Sequence, residues 1–256
     1  MKILINGISG FMGRELAALC ESGCRGAELS VGVDRAEGAY GSVAVYAGFD
    51  AVPESAKIDC IIDFSHHSAA LSLMAFATER GIPTVVATTG HTDEELDAIR
   101  SASETIPVFH SANMSLGVAL LVELAKTAVA AMPEAEIEII EKHHDRKLDA
   151  PSGTALMIAD AIMEVRPDAY TNLGRSGHGK REREEIGIHA IRMGNIVGEH
   201  EVIIGTNSQT LTLKHEAHSR ALFAEGALAA AAFIVSRPAG FYDMQSLVAK
   251  KEAVAN

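Results

Sequence analysis

A glycine triplet at fixed spacing constrains this chain more than any other feature. Gly7, Gly10 and Gly13 spell G-x-x-G-x-x-G, a variant of the dinucleotide fingerprint G-x-G-x-x-G. An apolar run, Lys2-Ile3-Leu4-Ile5-Asn6, precedes it and reads as a buried strand. A helix from Arg14 through Leu16, Ala17 and Leu19 to Cys20 follows. In such a strand–turn–helix unit the glycines serve a tight turn, close backbone approach to a pyrophosphate, and close contact between helix and strand. A glycine triplet alone is also compatible with a turn used only for packing. Here a second strand, Leu29-Ser30-Val31-Gly32-Val33, ends in Asp34, roughly 20 residues past the glycines, where an acid binds the adenine ribose hydroxyls. Arg35 beside it suits a ribose phosphate instead. The stretch reads as a dinucleotide site.

The α/β alternation continues. Ile58–Phe64 is a buried strand, Ser68–Glu79 a helix, Pro83–Ala87 a strand, and Thr92-Asp93-Glu94-Glu95 a capping box that opens another helix. Pro107–Phe109 adds one more strand. In a parallel sheet the ligand crevice is lined by the loops at the carboxyl ends of the strands. Those loops are Gly7–Gly13, Asp34–Arg35, Phe64–His67, Ala87–Gly90 and Ser111–Met114.

After Ser115 the pattern changes. A helix over Leu116–Ala131 leads to the alternating segment Ile137-Glu138-Ile139-Ile140, a strand, and a helix over Pro151–Arg166 follows. Residues 172–185 form a polar stretch with Gly174, Gly177, Gly179 and the cluster Lys180-Arg181-Glu182-Arg183; it reads as a flexible surface loop, with a lid or intersubunit arm as the alternative. Ile186–Met193, Ile196–Gly205 and Gln209–Ala217 are consecutive strands joined by short turns at Gly194-Asn195 and Thr206-Asn207-Ser208, hence an antiparallel or mixed sheet. Arg220–Val235 is a final helix, expected to return to the nucleotide domain, and Phe241–Met244 closes the fold. The fold class is α/β: a Rossmann-like dinucleotide-binding domain over 1–114, completed by 221–256, with a second α+β domain containing a mixed sheet over 115–220 for substrate binding and oligomerisation.

Between that strand and helix lies the second constellation, Glu141-Lys142-His143-His144-Asp145-Arg146-Lys147-Leu148-Asp149-Ala150-Pro151-Ser152-Gly153-Thr154-Ala155. The amides of Gly153 and Thr154 open a helix and lack intrahelical partners, so the positive end of the helix dipole favours an anion there. A carboxylate on those amides would lie near the donors of His143, His144 and Lys147. A solvated charged turn with a Ser N-cap is the plainer reading of that run taken alone. Neighbouring His143 and His144 point to opposite sides of an extended segment, which argues against a chelated metal. His215 and His218, near Lys214 and Arg220, could form a second basic patch; a structural role suits them better.

A formal charge of −12 and a pI near 5.4 argue against nucleic-acid binding, but leave room for a local basic pocket that takes an acidic metabolite. Cys20, Cys24 and Cys60 give neither a paired framework nor metal-ligand spacing, and suit a reducing cytosol. With no secretory signal and no apolar segment long enough to span a bilayer, the expected location is cytoplasmic, without a membrane partner.

Taken together these residues resemble the dihydrodipicolinate reductase (4-hydroxy-tetrahydrodipicolinate reductase) family of the diaminopimelate and lysine pathway. The Glu138–Ala155 stretch is close to its signature E-x-x-H-H-x-x-K-x-D-x-P-S-G-T-A, and the glycine turn, Ala87-Thr88-Thr89-Gly90, Ser111-Ala112-Asn113-Met114 and Gly198-Glu199-His200 also match. The resemblance covers essentially the whole chain. It implies NADH- or NADPH-dependent reduction of a cyclic imine dicarboxylate, with His143 as catalytic acid/base and Lys147 as second proton donor. It implies substrate contacts from His144, Gly153 and Thr154. Cofactor contacts would come from Gly7, Ile8, Ser9, Gly10, Phe11, Met12, Asp34, Arg35, Phe64, Ala87, Thr88, Thr89, Ser111, Ala112, Asn113 and Met114. It also implies a homotetramer assembled through sheets of the second domain.

Three positions depart from many family members: Phe11 where a basic residue is common, Ala87 in place of Gly, and Met114 in place of Phe. They bear on cofactor choice rather than on the reaction. Asp34 set against Arg35 suggests use of both cofactors, leaning to NADH. Of the rival readings, a nucleotide sensor without turnover would fit a degenerate catalytic stretch, and this one is intact. A semialdehyde dehydrogenase would need a cysteine in the second domain, and none follows Cys60.

Overall fold

The chain divides into two compact units, Met1–Ser115 with Ala221–Asn256, and Leu116–Arg220. A computed structural model describes residues 1–249; the last part of the 221–256 segment lies outside them.

Numbered along the chain, the first unit contains strands β1 (Lys2–Asn6), β2 (Glu28–Val33), β3 (Gly38–Tyr40), β4 (Val43–Tyr46), β5 (Cys60–Asp63), β6 (Thr84–Val86), β7 (Pro107–His110) and β13 (Gly240–Tyr242). Its main helices are α1 (Phe11–Glu21), α2 (Ala70–Arg80), α3 (Asp93–Ala102), α6 (Ala221–Ile234) and α7 (Met244–Val248). The strands form one sheet in the order β13-β7-β6-β5-β1-β2-β4-β3. Every pairing is parallel except β3 on β4. Ile3, Leu4, Ile5, Ile61, Ile62 and Val85 are wholly buried, as expected of parallel strands covered on both faces. Leu4 and Ile61 pack with Leu73 and Met74 of α2 and Ile99 of α3. Helix α6 packs against α1 and against β5, β6 and β7. It comes so close to the Met114 carbonyl that a Cβ at Gly226 would overlap it.

Chain order reverses beside β1, which lies between β2 and β5. The turns after β1 and β5 meet at this switch point, where the crevice of an open α/β sheet is found. The short strands β3 and β13 at the two edges, and β4 next to β3, are additions to the five strands that the sequence suggested.

The second unit contains α4 (Leu116–Ala131), β8 (Glu136–His143), α5 (Gly153–Val165), β9 (Tyr170–Leu173), β10 (Glu185–Arg192), β11 (Gly198–Gly205) and β12 (Thr210–Ala217). Its sheet is mixed, in the order β12-β11-β8-β10-β9. Leu121 and Val122 of α4 and Ile158 and Ile162 of α5 share a core with Ile137, Ile139, Ile186, Ile188, Val202 and Ile204 from the three central strands.

Two sequence expectations change here. The Gly194-Asn195 turn does not close a hairpin, because β10 and β11 lie on opposite sides of β8, parallel and antiparallel to it. The turn instead passes over the end of β8: the His144 amide donates to Ile196 O at 2.8 Å, and the Met193 amide to His143 O at 3.0 Å. The stretch over 172–185 is ordered at both ends, since its first two residues finish β9 and Glu185 opens β10. Arg181 also ties it down, donating to Glu138 Oε1 at 3.1 Å and to Ile137 O at 2.8 Å. By contrast, Thr206–Ser208 does connect an antiparallel pair, with Gly205 opposite Thr210.

Candidate active site

In the first unit the glycine turn is shaped by steric necessity. Gly7 has φ +81°, and a Cβ there would lie 2.6 Å from Phe64 O. A Cβ at Gly13 would overlap the Gly7 carbonyl, so α1 can approach the turn only with glycine at that position. Gly10 caps α1 without a side chain, and no acid sits in the first turn. This helix start therefore presents amide donors and a positive dipole end.

The Asp34 carboxylate accepts from the Ser9 amide at 2.8 Å and from the Arg35 amide at 2.8 Å. Partial burial disfavours its charge, yet those hydrogen bonds and Arg35 outweigh burial and hold the carboxyl below its usual range. A crevice of ≈ 680 Å³ runs past Gly7, Gly10, Asp34, Arg35, Phe64 and Ser65. The residues fit a dinucleotide: backbone amides and space where a Cβ would intrude, followed by an ionised acceptor.

The structure separates the expected cofactor residues by what they can offer. Ile8 is buried, and its side chain occupies the space beside Gly32, where a Cβ would lie 3.0 Å from Ile8 Cδ1. Phe11 is 59% exposed at the helix start, with Met12 half-buried beside it. Ala87 and Thr88 are buried and Thr89 is exposed; the Thr88 hydroxyl points inward to Asp63 O at 3.5 Å. In the next loop Ser111 Oγ donates to Asn113 O at 2.8 Å, and Asn113 Oδ1 accepts from the Ser115 amide at 2.8 Å. Ala112 is exposed and Met114 buried.

Beneath these loops lies a pair the sequence reading passed over. Asp63 is 1% exposed and accepts from Asn6 Nδ2 at 2.8 Å and Ser65 Oγ at 2.6 Å. Burial pushes its pKa up in spite of those bonds. The signal was a polar residue at the carboxyl end of each of two otherwise apolar strands.

In the second unit the strand exit of β8 and the start of α5 are bonded together. Ser152 caps α5, its Oγ accepting from the Ala155 amide at 3.2 Å, while its own amide donates to Glu141 Oε1 at 2.9 Å. Glu141 also receives both Nη atoms of Arg192, at 2.7 and 2.6 Å, and meets His143 Nδ1 at 2.6 Å. Alternation along β8 puts Glu141 and His143 on the side of the buried Ile137 and Ile139. His144 lies one residue past the end of β8. Its Nδ1 is buried without a hydrogen-bond partner, and burial followed by the charges of Arg146 and Arg220 lowers its pKa.

Lys147 is largely covered and pairs with Asp149 at 2.8 Å. Gly153 is exposed, and a Cβ there would meet nothing within 4 Å; Thr154 is half-buried next to it. His200 Nε2 lies 3.0 Å from Ser152 Oγ, and its ring meets that of His143 edge-on at 5.3 Å. Burial and then the charge of His143 push His200 down to about 4. Gly198 leaves room for His143, whose Nε2 would be 3.1 Å from a Cβ there.

Glu141, Arg192 and His200 had no assigned role in the sequence reading. The parity of β8 could have singled out Glu141, and the Gly198-Glu199-His200 match could have singled out His200; nothing local marks Arg192. Among the described residues no group of three or more His, Cys, Asp or Glu could hold a metal ion, and no helix is long and apolar enough to cross a membrane.

Comparison with known proteins accounts for both units. Residues 1–114 match the family model described as "Dihydrodipicolinate reductase, N-terminus", and residues 117–248 match "Dihydrodipicolinate reductase, C-terminus". The chain is 44% identical, over 98% of its length and 99% of the relative's, to a 4-hydroxy-tetrahydrodipicolinate reductase of Caldanaerobacter subterraneus subsp. tengcongensis. It is 41% identical, over 97% of both chains, to one from Clostridium tetani. A solved dipicolinate-bound dihydrodipicolinate reductase from Paenisporosarcina sp. TG-14 has a similar fold, with a TM-score of 0.82 at 25% identity, covering 97% of this chain and 99% of that one. Signature, fold and relatives agree along the whole length, and the chain belongs to the dihydrodipicolinate reductase family.

Proposed function

We propose that this protein is an NAD(P)H-dependent reductase that converts 4-hydroxy-tetrahydrodipicolinate to tetrahydrodipicolinate, a step of diaminopimelate and lysine biosynthesis. The observation that carries the reading is the bond between the Ser152 amide and Glu141, which ties the strand bearing His143 to the helix start formed by Gly153 and Thr154. A proton donor and an anion-binding helix start are thereby held on one edge of the second unit.

The first unit holds the dinucleotide through the amides of the Gly7–Met12 turn, with Asp34 and Arg35 at the adenine ribose. Phe64, Ala87–Thr89 and Ser111–Met114 supply the remaining contacts. The bound nicotinamide supplies a hydride. The second unit takes the two substrate carboxylates: one on the Gly153 and Thr154 amides with the Thr154 hydroxyl, the other on Lys147 or His144. Reduction of a conjugated imine builds negative charge, which an acid must discharge by giving a proton to carbon or nitrogen. His143 does this, and acid catalysis of this kind contributes about 10²–10⁴-fold. Lys147, exchanging Asp149 for substrate, is the second donor.

The cofactor site accepts both NADH and NADPH and leans to NADH. The same reading includes a cytoplasmic homotetramer built through the sheets of the second unit, which light scattering on the purified protein checks. The test of function is oxidation of NADH and NADPH in the presence of freshly generated cyclic substrate. Substrate-dependent oxidation is expected with both cofactors; none with either would overturn the assignment.

A further inference from the structure

His143 is held by a carboxylate that is wholly removed from water. Glu141 is 0% exposed, yet its carboxylate is fully engaged: Arg192 Nη1 donates at 2.7 Å, Arg192 Nη2 at 2.6 Å, the Ser152 amide at 2.9 Å, and His143 Nδ1 lies at 2.6 Å. Burial by itself would raise its pKa, but the Arg192 fork, His143 and the Ser152 amide outweigh burial and hold the carboxyl below its usual range. An ionised carboxylate only accepts hydrogen bonds, so the proton of the 2.6 Å contact belongs to His143 Nδ1. The nitrogen left for chemistry is Nε2, on the side where Gly198 carries no side chain.

The other charged groups about the ring come from different elements. Arg192 of β10 stands opposite His143 in the strand register and cancels the charge of Glu141. The same Arg192 Nη2 donates to Asp149 O at 2.7 Å, which ties in the loop that carries Lys147. His200 of β11 packs on the ring; with its pKa pushed down to about 4, it is neutral near pH 7 and does not compete as an acid. Lys147 is close enough to His200 to act on its charge.

We infer that Glu141 is the positioning residue for proton delivery: its Arg192-neutralised carboxylate fixes His143 with Nδ1–H inward and Nε2 as the delivering nitrogen. Through the Ser152 amide the same carboxylate sets the acid in register with the start of α5. Two properties follow. The imidazolium that precedes delivery keeps its Nδ1–H on a carboxylate that water does not reach. The buried Glu141–Arg192 pair also offers no net negative charge to repel a dicarboxylate. The inference rests on His143 being the acid of the proposed reaction.

The experiment compares the parent protein with Glu141→Gln, Glu141→Asp and His143→Ala in cyclic-substrate turnover, in NADH binding by fluorescence, and in the imidazole ¹⁵N spectrum of His143. Glu141→Gln should lower kcat about 10²-fold, within the range of acid catalysis, while KM and NADH affinity stay within about threefold. The alkaline limb of its kcat–pH profile should move to lower pH, because a neutral amide leaves the charge of Arg192 uncompensated beside the ring. Glu141→Asp should recover part of the loss. The neutral ring should carry its proton on Nδ1 in the parent and lose that preference in Glu141→Gln.

Parent-like kcat in a folded Glu141→Gln protein, alongside an inactive His143→Ala, would overturn the inference. So would a loss of kcat with an unmoved pH limb and parallel loss of NADH binding, the mark of a merely structural role. Full turnover in His143→Ala overturns the assignment of His143 as the acid instead, and the ¹⁵N spectrum of the parent then still decides whether Glu141 sets the tautomer. Should Glu141→Gln leave Arg192 buried without its partner and fail to fold, the double replacement Glu141→Gln with Arg192→Met removes both charges, and is read by its kcat and by the ¹⁵N tautomer of His143.

Discussion

The starts of α1 and α5 both follow a strand, both contain glycine, and both sit where an anion is expected, yet the glycines are there for different reasons. At α1 the backbone leaves no choice. Gly7 has positive φ and a Cβ there would strike the Phe64 carbonyl, while a Cβ at Gly13 would overlap the Gly7 carbonyl. No side chain caps that helix. At α5 a serine caps the first turn, and Gly153 has open space around its Cα. Nothing in the fold requires glycine at 153. A glycine that the fold demands reveals how the chain turns; one that it does not demand is better explained by what must approach it, which in the proposed function is a substrate carboxylate.

The contrast can be broken most sharply through the proposed proton donors of the second unit. His143→Ala or Lys147→Ala should lower kcat about 10²–10⁴-fold while leaving NADH affinity nearly unchanged, as measured by steady-state kinetics and NADH fluorescence titration. Near-normal turnover in both would remove the chemistry from this edge of the unit.

Alanine at the two glycines should then behave in opposite ways. Gly13→Ala should destabilise the fold by about 1–3 kcal/mol and weaken NADH binding, because a helix backed by a close carbonyl has no room to give. Gly153→Ala should melt like the parent and lose affinity for dipicolinate. Equal melting points with equal dipicolinate affinity in both variants would erase the distinction.

A pH dependence sharpens the α5 side. His200, beside the Ser152 cap, has its pKa pushed down to about 4 from an ordinary value of 6.5. The unfolded chain therefore binds the proton more readily than the folded one between those values. Stability from this group is complete above pH 6.5 and falls as pH drops towards 4, by up to about 3 kcal/mol. His200→Gln should flatten that part of the denaturation profile; an unchanged slope would place its origin elsewhere.

Smaller effects separate the ligands. Thr154→Val keeps the shape and removes one donor, so KM should rise about tenfold with little change in melting temperature. At α1, Asp34 favours ribose hydroxyls and Arg35 favours a ribose phosphate, with Phe11 offering no second cation. The preference should lie within about tenfold, leaning to NADH. Added salt should weaken NADPH more than NADH, since only NADPH depends on the exposed Arg35. Arg35→Ala should deepen the NADH preference, and Asp34→Ala should move it towards NADPH. A hundredfold preference for NADPH in kcat/KM would mean that another cation reads the phosphate.

What could be read from the sequence was what neighbours along the chain decide. The glycine turn follows from its spacing. The capping box at Thr92 is formed as its residues suggest, with the Thr92 amide donating to Glu95 at 2.8 Å. Ser152 caps α5, and strand alternation puts Glu141 and His143 on one face of β8; each depends on contacts a few residues apart and on fixed backbone periods. Tertiary structure decided what depends on distant partners. Arg192 meets Glu141 across 51 residues and His200 meets Ser152 across 48, because β8 lies between β10 and β11 rather than beside a hairpin. The short strands β3, β4 and β9 form because a neighbouring strand offers free amides and carbonyls; three or four residues carry no periodic signal of their own. Sequence placed a histidine at the end of a strand. Only the register of the sheet surrounded it with a buried carboxylate, an arginine and a second imidazole, since side chains on different strands become neighbours through backbone pairing and not through proximity in the chain.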